Sequence, residues 1–192
     1  MNIYIISTAS LLIIIILVVI FYSYKKKRDA LKKLSSFLNG TISKSFFLPT
    51  FIGEYQGLKF LIELIEGHKN SSSYLKISLF KNSFLKLSIY KESILTNLGK
   101  KIGLVHEVKT GDEIFDREFL IFSNNSTQAM LYLNNMDIKN AIKELFNNGF
   151  GAILINGKKI LIQKPNYNLE KDLQQENLIG VLQKLNILAR RL

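Results

Sequence analysis

The sequence predicts an α+β fold: an N-terminal transmembrane helix followed by an antiparallel-sheet domain covered by helices. Three features of the 192 residues carry that expectation. The stretch from Ile3 to Tyr24 has no charged side chain. Several later runs alternate apolar and polar residues, the period-2 signature of strands with one face for a core and one for solvent. Helical patterns follow the strands without regular strand-helix alternation, which points away from a doubly wound nucleotide-binding sheet.

The uncharged stretch corresponds to a helix about 33 Å long, against a hydrocarbon core of about 30 Å. Its run LLIIIILVVI is apolar on every face, and Tyr4, Phe21, Tyr22 and Tyr24 fall near both ends, where interfacial aromatics belong. A cleaved signal peptide would need a basic start, a shorter apolar core and a small-residue cleavage site, and these are missing. Lys25, Lys26, Lys27 and Arg28 come directly afterwards, and the positive-inside rule makes them a cytoplasmic flank. The expectation is a single-pass protein of a bacterial cell membrane, N-terminus out, with its C-terminal domain in the cytoplasm. Its regions would be a transmembrane anchor (1–28), a juxtamembrane helix or linker (29–44) and the α+β domain (45–192).

In the linker, Leu31, Leu34, Phe37 and Leu38 form a helical stripe that Gly40 would end. FIGEY and LKFLIELIE flank Gln56 and Gly57, and YLKISLF precedes FLKLSIYKE, so two hairpins are expected. Leu75, Ile77 and Leu79 would face the core, with Lys76 and Ser78 on the other side. A short helix is expected around Ser93 to Leu98. Phe119 and Ile121 oppose Leu120 and Phe122 on a strand apolar on both faces. Ser126 would cap a helix through Leu133, and Asp137 would cap another bearing Ile138, Ala141, Ile142, Leu145 and Phe146. GAILI and KKILIQK around Asn156-Gly157 predict a type I′ hairpin. From Leu169 on, Leu173, Leu178, Val181, Leu182, Leu185 and Leu188 mark one long amphipathic helix.

Composition excludes several function classes. With no cysteine, disulfide frameworks, thiol nucleophiles and cysteine-ligated metals are excluded. The net charge is +11, of which Lys25 to Arg28 supply four, and abundant Lys, Asn and Ile indicate compositional bias rather than a nucleic-acid groove. Neither GxGxxG nor GxxxxGK[ST] occurs, so a nucleotide phosphate cradle has no support. His68 and His106 are the only histidines, and neither has a metal-ligand partner at useful spacing. No cofactor is expected.

The most motif-like stretch is TGDEIFDREF, Thr110 to Phe119. Asp112 and Asp116 stand four apart and would share a helical face, where paired carboxylates could hold a divalent metal or act as acid and base. The structural alternative has Gly111 turning the chain, Asp112 capping a helical turn, Phe115 and Phe119 buried, and Arg117 paired with a carboxylate.

The succession Gly53-Glu54-Tyr55-Gln56-Gly57, Ser73-Tyr74-Leu75, Leu98-Gly99-Lys100, Thr110-Gly111-Asp112 and Phe115-Asp116-Arg117-Glu118-Phe119 resembles uncharacterised bacterial membrane-anchored proteins over most of residues 45–192. That family has no assigned activity, so the resemblance implies architecture alone. The function expected is a non-enzymatic interaction or scaffold module, with the lipid bilayer and a membrane or cytoplasmic protein as partners and nucleic acid not expected. Two alternatives come from other classes: a divalent-metal hydrolase using Asp112 and Asp116, and binding of anionic lipid or nucleic acid by the basic domain.

Overall fold

The computed structural model describes residues 2–43, 48–67, 72–91 and 106–192, the side chains of 2–12 and His106 aside. Helix α1 runs without a break from Asn2 to Leu34. Nine strands follow among the described residues: β1 (Asn39–Ile42), β2 (Thr50–Tyr55), β3 (Leu58–Ile65), β4 (Tyr74–Phe80), β5 (Leu87–Lys91), β6 (His106–Glu107), β7 (Phe119–Ser123), β8 (Ala152–Asn156) and β9 (Lys159–Pro165). The remaining helices are α2 (Glu113–Glu118), α3 (Ser126–Leu133), α4 (Met136–Asn147), α5 (Leu169–Asp172) and α6 (Gln175–Arg190). All nine strands join one sheet in the order β1-β2-β3-β4-β9-β8-β5-β7-β6, every pairing antiparallel.

The α+β expectation for the domain therefore holds, but its membrane part is corrected. Among the described residues, no helix is long and apolar enough to cross a membrane. The exposed apolar stretch described in α1 extends from Ile13 to Tyr22, after which the same helix continues through the basic run into the domain. Leu31 and Leu34 are fully buried in the domain core, and Lys27 is buried against Glu66 at 2.6 Å. The single-pass placement and the N-out, C-in orientation fall with the span on which they were built. Nor is there a separate linker helix: α1 ends at Leu34, and Gly40 lies inside β1.

One face of the sheet makes the core. The register carries a row across seven strands through Phe51, Ile62, Ile77, Ile162, Ile153, Ile89 and Ile121. All seven are essentially inaccessible to solvent. Above the sheet lie α4, whose Ile138, Ala141, Ile142, Leu145 and Phe146 are buried, and α6, which buries Leu178, Val181, Leu182, Leu185 and Leu188. Tyr132 of α3 donates its hydroxyl to the Leu188 carbonyl at 2.8 Å, and burial pushes that phenol upward from its ordinary pKa. On the opposite face Ser78 is also fully buried, and its Oγ has no hydrogen-bond partner.

The β2–β3 hairpin forms as expected, and Gln56 and Gly57 both take positive φ, the type I′ requirement. Gln56 reaches α6, where its Oε1 accepts from Asn186 Nδ2 and Arg190. The second expected hairpin does not form. After β4 the chain bonds to the β8–β9 turn, with Lys81 N–H on Lys158 O and Ser83 N–H on Gly157 O, so that hairpin separates β5 from β4. The β8–β9 hairpin forms, yet Asn156 is its last paired residue and positive φ is not used there. The predicted long C-terminal helix breaks into α5 and α6 around Leu173 and Gln174. Caps shift as well: Asn125 and Asn135, rather than Ser126 and Asp137, accept the first-turn amides of α3 and α4. The expected helix at 93–98 lies outside the described residues.

Close approach makes Gly53 irreplaceable, since a Cβ there would lie 2.5 Å from the Phe60 ring and 2.9 Å from the Asn39 carbonyl. Gly53→Ala should cost about 1–3 kcal/mol in urea unfolding through overpacking. Ser78→Ala should leave stability unchanged or raise it by about 0.5–1 kcal/mol, because it deletes a buried hydroxyl without a partner.

Candidate functional site

The Thr110–Phe119 stretch folds into a turn and one short helix. Gly111 takes φ +82° to turn the chain, and Asp112 is the N-cap of α2, its Oδ1 accepting from Phe115 N–H at 3.1 Å. The other Asp112 oxygen accepts from Lys139 Nζ at 2.8 Å. That ammonium and the Phe115 amide hold the Asp112 carboxyl below its ordinary pKa, with a smaller contribution from the nearby Lys143 charge.

Asp116 points back along the chain. Its Oδ1 accepts from both Thr110 N–H and Thr110 Oγ1 at 2.8 Å, and its Oδ2 from Gly111 N–H at 3.0 Å. The two carboxylates therefore do not converge on a shared point: one caps a helix and binds a lysine of α4, while the other closes the turn. Arg117 is exposed and forms no ion pair among the described residues; the cation paired to this stretch is Lys139 instead. Phe115 and Phe119 are buried, their rings 4.8 Å apart, and Phe119 packs onward against Phe146 at the same separation, both pairs tilted. The stretch thus fastens α2 and β7 to α4.

His106 pairs with Ser123 at the sheet edge in β6, while His68 lies outside the described residues. Among the described residues no group of three or more His, Cys, Asp or Glu is placed to hold a metal ion.

Two further arrangements escaped the sequence. Lys164 Nζ on β9 donates to Asn148 O at 2.6 Å and to Asp172 Oδ1 at 2.7 Å, and Asp172 Oδ2 accepts Asn168 N–H. This pair lies beside a small cleft of about 230 Å³ between α4, α5 and the sheet. Asp172 is buried and Lys164 mostly so, which makes the pair a fastening of the α4 and α5 ends to β9. The only signal available was a lysine at a strand end, which is ordinarily solvated.

The second is the fate of the basic run. Lys27 is spent on Glu66, whereas Lys25 and Arg28 join Phe21, Lys32 and Ser35 along one wall of a groove of about 550 Å³ whose other wall is Gly40, Thr41 and Ile42 of β1. Lys26 and Lys33 line a second groove against α5 and the start of α6, which shares Lys25 and Asp29 with the first.

No family model and no curated protein matches the sequence. Among solved structures, the chain is similar to the mycobacterial trehalose monomycolate transport factor A, TtfA, at 15% identity and a TM-score of 0.54, over 86% of this chain and 84% of that one. That likeness is one of fold.

Asp112→Asn should lower stability at neutral pH. A carboxyl with a depressed folded pKa contributes stability above its unfolded value of 3.8 and loses it as pH falls through the folded one, so the deficit should close in acid. Thermal melts of both proteins between neutral pH and about pH 3 check this. Asp116→Ala should cost about 1–3 kcal/mol, because three donors lose their acceptor together. Lys164→Met, which leaves Asp172 buried without its cation, should cost about 2–4 kcal/mol in urea titration.

Proposed function

We propose that the chain is a non-enzymatic accessory module whose work is to engage another protein. The observation that carries this is the use made of its most chemistry-like cluster. Each carboxylate oxygen of Asp112 and Asp116 already accepts a hydrogen bond from the local backbone, Thr110 or Lys139, and the two groups serve separate turns rather than a shared point, which favours a structural over a catalytic use of the cluster. The fold likeness to a protein named as a transport factor fits an accessory role without naming a substrate for this chain. The +11 net charge favours partners with acidic surfaces.

In-cell photo-crosslinking of the full chain should capture the same protein partner in repeated experiments. The purified chain should show no thermal stabilisation by Mg²⁺ or Mn²⁺. A metal-dependent rise in melting temperature that disappears in Asp112→Asn or Asp116→Asn would instead assign the stretch to metal-assisted hydrolysis and end this reading.

A further inference from the structure

Strand β1 is one margin of the sheet, and among the described residues no strand pairs with its outer side. Ser43 N–H bonds to Thr50 O on the inner side. Because backbone groups alternate between the two edges of a strand, Thr41 and Asn39 share that inward phase, and the amides and carbonyls of Gly40 and Ile42 point outward. An edge with free donors and acceptors is a template for another strand.

Facing this edge is one stripe of α1. Phe21, Lys25, Arg28, Lys32 and Ser35 recur every three or four residues, so they share a helix face, and together with Gly40, Thr41 and Ile42 they line the groove. Lys25, Arg28 and Lys32 are exposed and have no ion-pair partner among the described residues; Asp29 is the one acidic side chain in the lining. From Lys25 to Lys32 the helix rises about 10 Å, and a four-residue strand is about 13 Å long. Side chains on one face of an extended chain recur every 6–7 Å or so, within reach of the spacing of the three cations.

We infer that this groove receives an extended, acidic segment of a partner protein, which adds to β1 as a further strand and sets alternate carboxylates against Lys25, Arg28 and Lys32. The inference rests on the interaction reading above and gives it a surface. The edge supplies backbone hydrogen bonds without sequence preference, and the cations select acidic segments and their register.

The test uses the full chain and a fluorescein-labelled heptapeptide of alternating valine and glutamate, followed by anisotropy. Arg28→Glu/Lys32→Glu should weaken binding about tenfold or more, since two attractive pairs become repulsive. Lys26→Glu/Lys33→Glu reverses two charges on the other side of the same helix and should change it less than about threefold. Ile42→Pro removes an outward N–H while sparing the bonds to β2, and should weaken binding about fivefold. A peptide N-methylated on its pairing edge gives the same readout on the unaltered protein and should bind as weakly. Equal weakening by the two double variants, full binding by the N-methylated peptide, or no anisotropy change up to millimolar protein would each overturn the inference. Crosslinked partners retained by Arg28→Glu/Lys32→Glu would sink the groove alone, whereas absence of any partner would sink the interaction reading itself.

Discussion

The ladder between β4 and β9 is the contact on which the rest of the molecule depends. It pairs seven residues on each strand, from Tyr74 with Pro165 to Phe80 with Lys159, and it is the only strand ladder among the described residues between the β1–β4 meander and the strands that follow. Through it the buried row of Phe51 and six isoleucines becomes one continuous surface, wide enough for α4 and α6 to lie on together. Each half alone would expose its apolar row at a raw strand edge. Joining them requires closure of a long intervening loop, an entropic cost met only when the whole core forms, so the sheet and its helical layer are one cooperative unit.

That dependence explains what the sequence made legible. Local period and turn chemistry specify elements: the β2–β3 hairpin with Gln56 and Gly57, the amphipathic face of α4 and the buried leucines of α6 all follow from neighbours a few residues apart. Topology is set by competition between distant strands. β5 was expected beside β4 because they adjoin in sequence, yet β9 offers β4 a longer apolar partner and its hairpin with β8 takes the intervening place. The same limit applies to helix ends. Asn125 and Asn135 cap as well as Ser126 and Asp137 would, and the choice turns on a one- or two-residue phase set by packing.

The Thr110–Phe119 stretch divides along the same line. Its turn at Gly111 and the cap at Asp112 are readable because both involve residues within five positions. Lys139 was not readable as the cation at Asp112, since it lies on α4 and comes within 2.8 Å only once Phe115, Phe119 and Phe146 pack together. A carboxylate pair in sequence implies shared chemistry only if the fold turns both groups to one point, and here each is turned to its own structural partners.

The basic run shows the converse. Four consecutive cations in a sequence look equivalent, but an α-helix separates successive side chains by about 100°, so a run cannot act as one patch. Lys27 falls on the buried side and is neutralised by Glu66, Lys26 faces α5 and α6, Arg28 turns toward β1, where Lys32 from the next turn extends the stripe, and Lys25 stands between the two and borders both grooves. Charge that reads as a cluster along the chain is thus distributed by helix phase into one structural pair and two adjoining surfaces that meet at Lys25. Of these, only the β1 side sets cations beside strand-edge backbone groups that no described strand uses. Recognition there would combine two weak, independent demands, an extended backbone and acidic side chains at alternate positions. Neither demand alone would discriminate among partners, and together they do.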